Sequence, residues 1–270
     1  MVVSYILGLP MGSLGKALLI GFLLVLSMAT PQAATLDEWI ELGDTRKAKW
    51  DHRGAADAYQ QALGMDPTHY FALWNTADEI TELAHALPRG EKERKEALFT
   101  LANDLCDRAI AVKPDGWEGH FYKAVALGRL ALFQGGKEKI AFAKAIRAEA
   151  EKAIELNPDA HRAYHVLGRW HQQMANLNWV LRAFAKVIYG GAPPGSNETS
   201  VAMFRRAIEI APDEIRHHLE LARTYRFMGK KALMRAALER AIALPSLREG
   251  DEGFKEEARE MREDFDFAAE

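Results

Sequence analysis

The sequence predicts an all-α fold of stacked helix pairs, and three observations carry that expectation. First, residues 36–69 hold Trp39, Leu42 and Gly43, then Ala55, Tyr59, Ala62 and Pro67, a large-small alternation at helical spacing. Second, Pro67, Pro114, Pro158 and Pro212 each follow an alanine by five residues: Ala62, Ala109, Ala153 and Ala207. Third, no segment of useful length alternates apolar and polar residues at the two-residue period of a strand.

Each element follows from the same chemistry. Large side chains fill the gap between two paired helices, and Gly or Ala lets two backbones approach. Proline closes a unit because it cannot continue a helix. The order of these residues over about 34 positions is that of a tetratricopeptide repeat, with Arg46 departing where Tyr is expected. The proline intervals are 47, 44 and 54, so later units carry insertions between or within their helices. The fourth unit is marked by Tyr164, Leu167, Gly168 and His171, then Phe204, Ala207 and Pro212. The fifth shows His218, Leu221, Ala222 and Tyr225, a turn at Gly229, and Ala241. After Pro245, Phe254, Ala258, Met261 and Phe265 make one apolar stripe on a charged helix, as the end of a solenoid requires. The expected architecture is a tetratricopeptide-repeat superhelix of about five helix pairs over residues 35–248, closed by a C-terminal capping helix over 249–270. Gly190–Asn197, rich in Gly and Pro, reads as a loop.

Residues 1–34 read as a targeting segment. Their one charge is Lys16, followed by an apolar run over residues 17–29. That length suits the core of a secretory signal and is short of the roughly 20 residues of a membrane span. Ser27 and Ala29 supply small side chains before a cut, with Ala33 and Ala34 as fallback sites. The expectation is a signal peptide and export, periplasmic or secreted, with a mature start between Thr30 and Thr35. An uncleaved N-terminal membrane anchor is the alternative, and Met11 is an alternative start.

Composition excludes more than it assigns. Lys plus Arg total 35 against 38 Asp plus Glu, a formal charge of −3, so no global field holds nucleic acid. The single cysteine, Cys106, excludes an internal disulfide framework and a multi-cysteine zinc site, and reads as a buried hydrophobe. There is no His-Glu-x-x-His, Gly-x-Ser-x-Gly or Walker loop. His161 and His165 share a helix face, but no acid or cysteine completes a metal site. Neither catalysis nor a cofactor nor a metal is expected.

The functional signal lies on the first helix of each pair, whose regularly spaced positions line the concave surface of such a superhelix. Counting from Trp39, these positions hold Phe121 and Arg129 in the third unit, and Arg162, His165 and Arg169 in the fourth. The fifth contributes Arg216, Arg223, Arg226 and Phe227. The first two units present Asp37, Asp44, Phe71, Trp74, Asp78 and Glu82, so one end is acidic with aromatics and the other basic. Guanidinium forks suit carboxylate or phosphate, and interleaved apolar residues suit peptide side chains or acyl chains. The expected ligand is an acidic peptide segment of a partner protein, with phospholipid as the alternative. Arginines on a merely solvated face are the competing reading. A chaperone-type carboxylate clamp is excluded, because of its required residues only Asn75 is present.

The middle of the chain carries a more particular pattern. Residues 128–170 run from Gly128 through Gly136-Lys-Glu-Lys-Ile140 and Lys152-Ala-Ile-Glu-Leu-Asn-Pro158 to Leu167-Gly-Arg-Trp170. Leu177-x-Trp179, a long Pro-bearing connection, and Ala207 with Pro212 follow. This resembles the regulator of microtubule dynamics family, which includes the mitochondrial protein tyrosine phosphatase-interacting protein. The resemblance implies a non-enzymatic helical-repeat domain on a membrane-anchored or cytosolic protein, linked with microtubules and, in one member, with phospholipid. The export-like N-terminus is compatible with the lipid role, and microtubules enter by resemblance alone.

Overall fold

A computed structural model describes residues 34–133, 136–178, 182–183, 186 and 194–267. Residues before Ala34, read above as a targeting segment, Trp179 and the first half of the Gly190–Asn197 loop lie outside the described residues, as does the side chain of Phe265. The described residues form helices and turns, with no strand among them.

Two helices make each repeat. The first pair is α1 (Leu36–Lys47) and α2 (His52–Met65), and the second is α3 (Tyr70–Ala86) and α4 (Lys92–Val112). The third is α5 (Trp117–Leu130) and α6 (Gly136–Leu156), and the fourth α7 (His161–Ala175) and α8 (Asn197–Ile210). The fifth is α9 (Ile215–Phe227) and α10 (Lys231–Ala243), after which α11 (Asp251–Phe267) closes the stack. The insertions have different fates. In the second and third repeats they lengthen the outer helices α4 and α6 to 21 residues each. In the fourth they lie between α7 and α8.

Local chemistry sets the boundaries. Thr35 opens α1 with a capping box, its side chain accepting from the Glu38 N–H while the Glu38 carboxylate accepts from the Thr35 N–H at 2.7 Å. Asp51 and Ser196 cap α2 and α8 in the same sense. Gly43 lies against the fully buried Tyr59 ring, and a Cβ at Gly168 would sit 2.9 Å from Phe204. These are the close approaches that the repeat pattern demands. Cys106 is fully buried, and burial pushes its thiol pKa up, so it is inert core.

The closing helix packs on α9 and α10 through Ala258 and Met261, with Phe254 beside them. Its first residue, Asp251, is buried and accepts the backbone N–H groups of Leu247 and Arg248 at 2.9 and 2.8 Å. The turn before α11 also reaches the other end of the superhelix, where the Glu249 carboxylate meets His52 at the start of α2. Among the described residues no helix is long and apolar enough to cross a membrane.

Candidate functional site

The first helices of successive pairs are joined by a chain of polar contacts. Lys47 on α1 donates to Asn75 at 2.9 Å and to Asp78 at 2.6 Å, both on α3. Tyr122 on α5 donates to the same Asp78 oxygen at 3.0 Å and accepts from Arg162 on α7 at 3.2 Å. Aromatic rings line this path. Trp74 stacks on Tyr122 with centroids 5.3 Å apart, and the Arg162 guanidinium lies 5.0 Å over Phe121 and 5.6 Å over Tyr122. Burial opposes the charge of Arg162, but Tyr122, Asp78 and Glu82 together hold its pKa above the ordinary value. Phe121, expected to face a ligand, is instead 2% exposed beneath that guanidinium. It is the support of the arginine, not a contact surface.

The remaining arginines divide by partner. Arg169 donates to Glu220 at 2.5 Å, and Arg223 donates to Glu220 and to Glu257 of α11. Glu220 is 4% exposed, and its second oxygen has no hydrogen-bond partner. Arg216 pairs with Glu214 at 3.0 Å and lies 5.5 Å over Phe254. Arg226 and Phe227 are exposed at the rim. The Arg129 side chain makes no ion pair or hydrogen bond among the described residues. Burial lowers its pKa, the field of Glu82 opposes that shift, and Arg169 and Arg216 add to it. An open cavity of 610 Å³ lies between α7, α9 and α11, with Arg169, Arg223, Arg226 and Phe227 facing Glu257, Glu260 and Asp264. The stripe therefore holds Arg129 partly buried and without an ion pair among the described residues, while Arg169, Arg216 and Arg223 are tied to carboxylates.

Histidines fill the space beside it. The Nδ1 atoms of His161 and His165 lie 2.9 Å from the Nε2 and Nδ1 of His217, respectively. His165 is also edge-on to Phe204. Burial and the surrounding arginines depress the pKa of each: His161 is lowered, His165 lies well below its usual value, and His217 falls to about 2. Neutral imidazoles satisfy this chain, each donating to the next, so it needs no ion. Among the described residues no cluster has the geometry of a metal site, and Arg162 and Arg216 beside these rings disfavour any bound cation.

Comparison with known proteins fixes the lineage. The profile described as Regulator of microtubule dynamics protein 1-3 matches residues 33–266. The chain belongs to the regulator of microtubule dynamics family. Within this family, regulator of microtubule dynamics protein 1 of Mus musculus is 30% identical over 190 residues, covering 70% of this chain and 62% of the mouse protein. Protein 3 of Rattus norvegicus is 24% identical over 217 residues, covering 78% of this chain and 46% of the rat protein. The match thus spans less than two thirds of either relative. A solved tetratricopeptide-repeat protein of Thermus thermophilus aligns with a TM-score of 0.60 at 15% identity, over 83% of this chain and 98% of that one. The likeness shows the fold: this family member is built as a helical-repeat superhelix.

The spacing of this family member's repeats located the groove helices but missed the glutamates among them. Glu220, three residues before Arg223, was legible as a helical neighbour. Glu257 was not, because α11 was read only as a cap. Gln172 on α7 is 5% exposed and donates to the Glu220 carbonyl oxygen and the Thr224 hydroxyl. Leu219, between Arg216 and Arg223 on α9, is core.

Proposed function

We propose that this protein is a non-enzymatic adaptor whose concave groove binds an anionic segment of a partner protein. The observation that carries the reading is Arg129, a partly buried guanidinium with no carboxylate paired to it among the described residues, in the like-charge field of Arg169 and Arg216. An unneutralised buried cation costs stability, and an incoming carboxylate offsets that cost while gaining charge-assisted hydrogen bonds. The chain supplies an example of the chemistry in cis, since acidic α11 docks at the end of the groove through Glu257 on Arg223. The cavity beside it is walled by charged side chains, which suits a peptide better than acyl chains.

The test is fluorescence anisotropy of a short labelled Glu-rich peptide, titrated with protein at low and high salt. Binding that weakens as salt rises supports the reading, because exposed ion pairs are screened over about 8 Å at physiological ionic strength. Vesicles containing phosphatidic acid form a second arm, and lipid retained at high salt without peptide binding would replace this reading with the phospholipid one. The relatives are named as regulators of microtubule dynamics, so microtubule co-sedimentation is the third arm. The proposal includes export, supported by Lys16 and the apolar run 17–29. The intact mass of protein from its native host, starting between Thr30 and Thr35, would agree with it, and a full-length species in membrane fractions would favour the anchor.

A further inference from the structure

His52 stands between two carboxylates that belong to opposite ends of the chain. Its Nδ1 lies 2.7 Å from Glu79 of α3, and its Nε2 lies 2.8 Å from Glu249 in the turn before α11, 197 residues away. A carboxylate accepts and does not donate, so filling both contacts requires an N–H on each ring nitrogen. Only the imidazolium has both. A neutral ring keeps one N–H, and the two acceptors differ in their need for it. Glu79 is 1% exposed and loses heavily if left without a donor, whereas Glu249 is 53% exposed and can return to water. Deprotonation therefore leaves the Glu79 contact and breaks the one to Glu249, where a lone pair would face a carboxylate.

We infer that Glu79, His52 and Glu249 form a proton-dependent clasp that joins the first repeat to the C-terminal turn and lets go as pH rises. The charges around it favour this division. From α1, Lys47 holds the other Glu79 oxygen at 3.0 Å, so the buried carboxylate stays paired when His52 is neutral. Asp51, next to His52, is occupied by Arg46 at 2.6 Å, and neighbouring Arg53 is exposed. From α3, Asp78 is held by Lys47 at 2.6 Å. On the C-terminal side Arg248 turns away to Asp213 and Glu214, both at 3.2 Å. That second tie fixes the turn to the start of α9, so the clasp links α2 to the arginine-bearing helix. Burial opposes protonation of His52, but Glu79 and Glu249 outweigh it and raise its pKa above the ordinary 6.5. A raised value places the closed state on the acid side and its loss at pH above the folded pKa. That opening the clasp widens access to the Arg129 groove rests on the peptide-binding reading; the clasp itself does not.

The experiment measures the end-to-end distance without any ligand. Spin labels at Asp57→Cys on α2 and Glu263→Cys on α11 report it by pulsed electron resonance, with buried Cys106 unreactive. We expect one short distribution at about pH 5.5 and a shift to longer distances at about pH 8.5. Glu249→Ala, a change at an exposed side chain, should give the long distribution at both pH values. In the same variant the His52 pKa, read by carbon-13 NMR of the ring, should fall back toward 6.5. A distribution indifferent to pH and to Glu249→Ala would overturn the clasp. Repeating the peptide titration at both pH values separates the two ideas: a distance change without peptide binding keeps the clasp and sinks the binding reading.

Discussion

Replacing Arg129 with Met should make the protein more stable and a worse binder. The side chain is partly buried, has no ion pair among the described residues, and lies in the like-charge field of Arg169 and Arg216. Methionine keeps much of the length and removes the charge. Exchange of a poorly compensated buried ion for an apolar group of similar size is neutral or stabilising, here by up to about 2 kcal/mol. For a chain of this size that is a rise in melting temperature of roughly 4–8 °C. The same change deletes one charge-assisted contact to the ligand, about 1.5–3 kcal/mol, which lowers affinity roughly ten- to a hundredfold. Arg223→Met is the contrast. It strips one of two donors from Glu220, a 4% exposed carboxylate whose second oxygen is already unpartnered. It should cost about 1.5–3 kcal/mol of stability with a smaller change in affinity. Urea unfolding and peptide anisotropy on the two variants decide the matter. An Arg129→Met protein that unfolds more easily while binding peptide unchanged would show Arg129 to be a packing element and refute the reasoning.

Four further outcomes follow from the packing. Gly43→Ala should destabilise by about 1–3 kcal/mol, because its Cβ drives into the buried Tyr59 ring. Gly64→Ala, with open space around it, should gain about 0.5–1 kcal/mol in the same urea assay. Stability should fall with acid. His161, His165 and His217 are depressed in the fold, so the unfolded chain binds more protons below about 6.5 and the loss grows as pH drops. His217→Asn should flatten that limb of the urea midpoint against pH, and an unchanged slope would assign it to other groups. Deleting residues 250–270 uncovers the side of α10 carrying Leu238 and Ala241 and leaves Arg223 without Glu257. Aggregation or loss of a cooperative transition is expected in light scattering and calorimetry, and an unchanged monomeric melt would contradict the cap.

The fold was legible because its determinants are local. Gly43 under Tyr59, Gly168 under Phe204 and the recurrent alanine-proline pairs each belong to one helix pair, and a single sequence displays them. The insertions were legible as lengths but not as shapes. Nothing in the proline intervals distinguishes extra turns of α4 and α6 from the connection that follows α7. The groove was legible as a set of helix positions and illegible as a set of free charges. The contacts that decide those charges cross between repeats: Lys47 to Asp78 spans 31 residues, Arg169 to Glu220 spans 51, and His52 to Glu249 spans 197. Counting basic residues along the first helices therefore overstated the positive field, because their partners come from neighbouring helices and the cap.

That correction changes which arginines can recognise anything. A guanidinium already bound to a buried glutamate gains little from a second carboxylate, since the new contact competes with one that is preorganised and desolvated. Arg169 and Arg223 are in that position through Glu220, and charge reversal there would disturb the fold before it reported on binding. Arg129 lacks such a partner, and exposed Arg226 keeps the solvated charge that steers an anion from a distance. On the proposed reading the binding power of this groove rests on the charge left after internal pairing, and that remainder is concentrated at α5 and the end of α9. A ligand that engages both must carry its negative charges on a segment long enough to run from one to the other. An extended acidic peptide meets that requirement, and a single small anion does not.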